Sequence, residues 1–157
     1  MKVRELMTTT PYYCQPETNL GSAAELMWTG NCGFLPVVGQ DSKVVGVVTD
    51  RDICIALGTR NRLAGEITVG EVISSQKLFY CCPEDDLRVA LQAMQSGGVR
   101  RLPVITHEGL LAGIISMDDV LIGTGMAGFG PGEVSNEEIV RAFRAITQQQ
   151  LAAKQAA

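Results

Sequence analysis

Two pairs of residues in this 157-residue chain set a hydroxyl three positions before an aspartate. They are Thr49 with Asp52, in Gly46-Val47-Val48-Thr49-Asp50-Arg51-Asp52, and Ser116 with Asp119, in Gly113-Ile114-Ile115-Ser116-Met117-Asp118-Asp119. A carboxylate offers two acceptor oxygens and can meet the two hydroxyls of a vicinal diol through charge-assisted hydrogen bonds. A hydroxyl and the N–H groups at the head of a helix suit an anion such as a phosphate, because those donors lack intrahelical partners and sit at the positive end of the helix dipole. The β-branched pair before each hydroxyl favours a strand, and the hydroxyl can cap a following helix. Each stretch is therefore expected as a strand that turns directly into a helix. Thr-x-x-Asp and Ser-x-x-Asp are also the spacing of a helix capping box, which is a purely structural role. The two roles are compatible.

The elements that must position these pairs follow from an internal repeat. Sliding the chain by 67 residues aligns Pro16-Glu17-Thr18-Asn19-Leu20 with Pro83-Glu84-Asp85-Asp86-Leu87, and Leu35-Pro36-Val37-Val38 with Leu102-Pro103-Val104-Ile105, without a gap. Over residues 16 to 55, 12 of 40 positions are identical, which marks a duplicated structural unit. In the first copy the pattern predicts a helical turn over Val3 to Met7, a strand at Tyr12-Tyr13-Cys14, and a helix capped by Thr18 or Asn19. Leu20, Ala23, Ala24 and Met27 would share one face of that helix, and Gly30 would end it. Phe34 to Val38 and Val44 to Val48 read as a hairpin across Gly39-Gln40-Asp41-Ser42. A helix from Asp50 to Leu57, closed by Gly58, completes the copy.

The second copy repeats this plan: Val69 to Ile73, a strand at Leu78 to Cys82, and a helix carrying Leu87, Ala90, Leu91 and Met94. A hairpin over Leu102 to Ile105 and Leu111 to Ile115 then leads into a helix from Met117 to Ile122. Thr59 to Thr68 is polar and reads as a linker. The fold class expected is α/β in the broad α+β sense: two tandem copies, each a small three-stranded mixed sheet with flanking helices. Neither copy can cover its sheet alone, so the two are expected to pack face to face with pseudo-two-fold symmetry. The expected divisions are residues 1–65, 66–122 and 123–157. The last comprises a glycine-rich connector over Gly123 to Gly132 and a helix started by Ser135, with Glu138 closing a capping box and Val134 stapled to Ile139. Ile139, Phe143, Ile146 and Leu151 give that helix an apolar stripe, for the parent module, a dimer mate or a partner protein.

Composition narrows the function classes. The net charge of −4 and thirteen scattered Lys and Arg argue against a nucleic-acid surface. The N-terminus has no apolar segment after its charges, and no apolar run approaches the roughly 18 residues a membrane span needs, so no membrane association and a cytoplasmic location are expected. Five cysteines, Cys14, Cys32, Cys54, Cys81 and Cys82, form no Cys-x-x-Cys pair. They read as reduced thiols. The single histidine, His107, leaves little for a metal site, so none is expected. It also leaves no Ser/His/Asp set, and no enzyme activity is expected. Trp28 lies off the main stripe of its helix, which suggests an exposed aromatic contact in a homodimer.

Paired Leu-Pro-Val segments before a hairpin, each followed by Gly-h-h-[Thr/Ser]-x-x-Asp (h, apolar), resemble a tandem pair of CBS domains (cystathionine-beta-synthase domains), often called a Bateman module and expected here to stand alone. The resemblance covers residues 1 to about 122. It implies a regulatory module that binds adenosine-containing nucleotides in clefts between the repeats and signals to a partner protein of unknown identity. Under it, Asp52 and Asp119 hold ribose, Thr49 and Ser116 face phosphate, and basic residues before Leu-Pro reach the phosphates. The second copy has Arg100-Arg101 there and the first has Gly33-Phe34. Arginine suits the task through its bidentate fork, so the Ser116/Asp119 site is expected to be the better one for a phosphorylated ligand. Apolar walls for an adenine would come from around Tyr12-Tyr13-Cys14 and Phe79-Tyr80-Cys81. AMP, ADP or ATP are the expected ligands, with S-adenosylmethionine, NAD and cyclic dinucleotides also open. The alternative is a structural or interaction protein with vestigial clefts, acting through dimerisation and its C-terminal helix.

Overall fold

The β-branched runs form the expected strand pairs. In the computed structural model, which describes residues 1–73, 77–127 and 134–155, Phe34–Val38 (β1) pairs antiparallel with Val44–Thr49 (β2). Leu35 faces Val48 and Phe34 faces Thr49, with a register shift between Val37 and Val38. Arg101–Ile105 (β3) and Leu111–Ser116 (β4) form the corresponding second sheet.

The third strand expected in each copy shrinks to one residue. Cys14 makes a parallel bridge to Val37, and Cys81 to Val104. Cys14 donates to the Pro36 carbonyl at 3.0 Å and accepts from Val38 at 2.8 Å; Cys81 does the same with Pro103 at 3.4 Å and Ile105 at 2.8 Å. Two residues on, the next donor the ladder needs would come from Pro16 or Pro83, which have no N–H, so the pairing stops.

The helices are Leu20–Thr29 (α1), Asp50–Arg60 (α2), Val69–Ile73 (α3), Leu87–Gly97 (α4), Met117–Ala127 (α5) and Asn136–Gln155 (α6). Of the two candidate caps for α1, Asn19 serves, its side chain accepting from Ser22 N–H at 2.9 Å. Asp86 caps α4 through Arg88 N–H at 3.1 Å. Helix α2 runs past Gly58 and ends at Asn61, which takes the left-handed conformation at φ 48°. Helix α5 likewise passes the expected end at Ile122, and Thr124 spends its hydroxyl on the Val120 carbonyl at 2.6 Å. Residues 123–127 of the expected connector thus lie in a helix, while residues 128–132 fall outside the described residues.

The chain divides into two compact units that do not follow the order of the sequence. One comprises Met1–Thr9, Phe79–Thr106 and Ala112–Ala157; the other comprises Thr10–Leu78 and His107–Leu111. Each copy of the repeat thus builds its core with the leading segment of the other copy. The 3-10 turn Val3–Glu5 belongs with the second copy: Val3 N–H donates to Asp85 O at 3.0 Å, Arg4 N–H to Pro83 O at 3.1 Å and Leu87 N–H to Met1 O at 3.1 Å. Val3 is fully buried there among Leu87, Leu91, Leu102 and Ile115. The supposed linker and α3 belong with the first copy, where Ile67, Val69 and Ile73 are buried with Leu20, Leu35, Val48 and Ile53. Leu20 N–H donates to Ile67 O at 2.9 Å, and Val69 N–H to Thr18 O at 2.8 Å. The cores therefore draw on residues from both sides of the expected division at 65/66.

Helix α6 packs on the second copy. Its start is the expected capping box, with Ser135 N–H on Glu138 Oε2 at 2.8 Å and Glu138 N–H on Ser135 Oγ at 3.2 Å, and Val134 and Ile139 are both buried. The buried face is Ile139, Ala142 and Ile146, whereas Phe143 and Leu151 of the expected stripe stay exposed. Positions i, i+3 and i+7 share a narrower face than the sequence stripe assumed.

Candidate functional site

Both hydroxyl–carboxylate pairs stand where a strand becomes a helix, and both are closed capping boxes. At the first junction Asp52 Oδ2 accepts from Thr49 N–H at 2.9 Å and from Thr49 Oγ1 at 2.7 Å, and Asp52 N–H donates to Thr49 Oγ1 at 3.2 Å. At the second, Asp119 Oδ2 accepts from Ser116 N–H at 2.8 Å and Ser116 Oγ at 2.6 Å, and Asp119 N–H donates to Ser116 Oγ at 3.1 Å. The structural role weighed from the sequence is therefore real at both places. It does not exhaust the second carboxylate, because both bonds that reach it land on Oδ2 and leave Asp119 Oδ1 outside the box.

The first turns of the two helices differ. At α2, Asp50 N–H donates to Gly33 O at 3.2 Å and Arg51 N–H to Asp50 Oδ1 at 2.7 Å. With the box, every N–H from Thr49 to Asp52 then has an acceptor. The Asp50 carboxylate lies so close over Gly33 that a Cβ there would sit 2.6 Å from Oδ2. At α5 the residue in place of Asp50 is Met117, a buried apolar side chain whose N–H donates to Arg100 O at 2.9 Å. Each head thus carries one carboxylate beyond its box, Asp50 on α2 and Asp118 on α5, and the turn beside α5 adds Arg100 and Arg101.

Arg100 and Arg101 are both exposed. Arg101 Nη2 lies 3.9 Å from Asp118 Oδ2, a pair worth little in open solvent. The Arg100 guanidinium stands over the Phe143 ring of α6, 5.1 Å from its centroid. Sequence reasoning missed this partner. The sequence places Phe143 on the apolar stripe of its helix, and no local pattern says which helical aromatic will meet which arginine.

Of the proposed adenine walls, Tyr12, Tyr13 and Tyr80 are exposed, Phe79 packs against the second core, and Cys14 and Cys81 are buried. Burial pushes the Cys14 thiol up to about 11, and burial with the nearby Asp85 carboxylate pushes Cys81 up to about 12, so both stay protonated. All five cysteines are free. Trp28 is 88% exposed on α1. It edges an open groove of about 520 Å³ shared with Met27, Cys32, Asp50 and Ile53. Among the described residues no group of three or more His, Cys, Asp or Glu side chains is placed to hold a metal ion, and no helix is long and apolar enough to cross a membrane.

Comparison with known proteins agrees with this layout. The CBS domain model matches the chain twice, over residues 3–59 and 61–122. The CBS domain-containing protein YhcV of Bacillus subtilis (strain 168) is 32% identical over 149 residues, 95% of this chain and 97% of that one. Among solved structures, the CBS domain pair of protein MJ0100, in complex with 5′-methylthioadenosine and S-adenosyl-L-methionine, has a TM-score of 0.68 at 20% identity, covering 78% of this chain and 98% of that one. CBSX2 in complex with AMP gives 0.66 at 24% identity, covering 78% and 94%. At such identities the two structures speak to the fold.

Proposed function

Because this chain belongs to the CBS domain family, with two tandem copies of the domain, we propose that it is a non-catalytic regulatory module that binds an adenosine-containing ligand and reports it to another protein. The observation that carries this reading is the division of labour on Asp119. One oxygen holds the head of α5 and the other is outside the box, so a ribose diol can be accepted without breaking the helix start. Ser116 and the start of α5 would face a phosphate, with Arg100 and Arg101 on the adjoining turn. Thr49 and Asp52 form the second proposed ribose site, but with the Asp50 carboxylate at the helix head and Gly33-Phe34 in place of the two arginines it is the poorer place for a phosphate. The ligands seen with MJ0100 and CBSX2 are adenosine compounds with and without phosphate, which supports the class and leaves AMP, ADP, ATP, S-adenosylmethionine and NAD as the candidates. The exposed Trp28 supports assembly as a homodimer.

The test is a thermal-shift panel of these five compounds on the full chain. A ligand present at 100 times its dissociation constant adds roughly 2.7 kcal/mol to stability, which is several degrees in a chain of this size. A shift with at least one compound, lost in Asp119→Ala, supports the reading. No shift with any of them, together with an unimpaired dimer, would favour a structural protein whose ligand sites are vestigial.

A further inference from the structure

The turn Gly98–Arg101 joins α4 to β3 and is held from two directions. On one side, Arg100 O accepts the Met117 N–H that begins α5, next to the Ser116/Asp119 box. On the other side, α6 grips the same turn. Gln150 Nε2 donates to Gly98 O at 2.8 Å. The side chain of Gln149 lies where a Cβ on Gly98 would come within 3.1 Å, and Gly98 takes φ +61° there. Phe143 holds the Arg100 guanidinium over its ring at 5.1 Å. The far end of α6 is anchored separately, by Arg88 Nε and Nη2 on the two carboxylate oxygens of Glu138 at 2.8 and 3.4 Å. Arg100 therefore has its main chain at the head of α5 and its charge on the C-terminal helix.

We propose that Phe143 is a positioning residue that parks Arg100, so that α6 and the phosphate of a ligand at the Ser116/Asp119 junction compete for the same guanidinium. This rests on the reading of that junction as an adenosine site and adds its regulation. A phosphate beside the start of α5 draws Arg100 off the ring, because a charge-assisted pair with an anion exceeds a solvent-exposed cation–π contact. The turn then loses one of its three ties to α6. Coupling is reciprocal: whatever loosens Phe143 must tighten the binding of a phosphorylated ligand and leave its unphosphorylated counterpart alone. The C-terminal helix is thereby the element whose hold changes when phosphate arrives, and it presents that change at the protein surface.

The experiment compares AMP with adenosine by calorimetric titration on the full chain, the Phe143→Leu variant, and Arg100→Ala with and without Phe143→Leu. Phe143 is 38% exposed, and leucine keeps apolar bulk on α6, so the fold is retained. Phe143→Leu is expected to tighten AMP binding by roughly two- to five-fold, the worth of an exposed cation–π contact, with adenosine unchanged. In the Arg100→Ala background the gain should vanish. Amide exchange over Gly98–Arg101 and α6 should quicken with AMP and not with adenosine. If both ligands bind at the Asp119-dependent site but Phe143→Leu leaves the AMP-to-adenosine ratio where it was, the parking role is refuted while the adenosine site stands. If neither these nor the other adenosine compounds bind, the site itself is refuted and the coupling goes with it.

Discussion

Asp119 is read as serving a helix and a sugar at once, and two substitutions separate those duties. Asp119→Asn preserves an oxygen that can accept from Ser116 N–H and Oγ, the contacts now at 2.8 and 2.6 Å. It removes only the charge at the head of α5, a loss of about 0.3–1 kcal/mol. Asp119→Ala removes the acceptor altogether. Ser116 is 9% exposed, so its N–H is left with little water to turn to, and the missing cap and stranded donor together cost about 1–3 kcal/mol. For the ligand the order of effects is different. Hydrogen bonds to a charged group contribute about 1.5–3 kcal/mol, so both variants should weaken an adenosine ligand by roughly ten- to a hundred-fold. Urea denaturation gives the first quantity and calorimetric titration the second. The expected pattern is a stable Asn variant and a weakened Ala variant that bind equally poorly. An Asn variant that binds like the parent would show that the carboxylate does not carry the diol. One as unstable as the Ala variant would show that the box does not run through Oδ2 as described.

Ile146 is fully buried where α6 meets α4, so Ile146→Ala should cost about 2–5 kcal/mol by denaturation, whereas Leu151→Ala, at an exposed position, should cost little. Gly113→Ala would place a Cβ 2.5 Å from Thr8 O, and the forced retreat of the N-terminal segment should cost about 1–3 kcal/mol, read as a fall in thermal midpoint. The Arg88 guanidinium, with help from the Ser135 N–H, holds the Glu138 carboxyl down to about 2. A depressed carboxyl stabilises the fold above its unfolded pKa, so that contribution should be intact at neutral pH and fade as pH falls from about 4.5 toward 2; Arg88→Met should flatten this part of the acid-stability curve. With an aromatic disulfide reagent at pH 8, exposed Cys54 should react readily, and buried Cys14 and Cys81, held near 11 and 12, only after denaturant is added.

What could be read from the sequence was local. Hydroxyl and carboxylate three apart give a capping box in any fold, and β-branched runs beside turn residues give strand pairs, so Thr49/Asp52, Ser116/Asp119 and the pairs β1/β2 and β3/β4 were legible. The helix ends were less so. Gly58 and Gly123 looked like stops, but a glycine inside a helix costs only about 1 kcal/mol, which burial of Ala56 and Val120 on the same helices can offset. The third strands failed for a reason that was visible in principle, since Pro16 and Pro83 stand where the ladder needs a donor. The meeting of Arg100 with Phe143 was not visible, because it joins residues 43 positions apart through the docking of α6. Assigning Ile67 to a linker went wrong because polar neighbours on both sides hid one fully buried side chain.

The glycine that opens each motif acquires its meaning from the exchange of leading segments. Gly46 and Gly113 hold equivalent places in β2 and β4, and neither needs an unusual backbone. What each needs is room. A Cβ on Gly46 would come within 2.7 Å of Ile73 Cδ1, from α3, and one on Gly113 within 2.5 Å of Thr8 O, just past the N-terminal 3-10 turn. Thr8 and Ile114 bond each other in both directions, at 2.9 and 3.0 Å, so the approach to Gly113 is main chain against main chain. In each unit, then, the strand that ends in the box packs at its glycine against the segment that the repeat pattern assigns to the other copy. Two residues separate that glycine from the Thr or Ser of the box. Any movement of the leading segment is therefore applied to the strand that delivers Ser116 and Asp119, or Thr49 and Asp52, to the head of the helix. Gly-h-h-[Thr/Ser]-x-x-Asp is in this sense one mechanical unit, with a packing seat at its start and a capped helix at its end, and substitutions at the seat should register at the carboxylate.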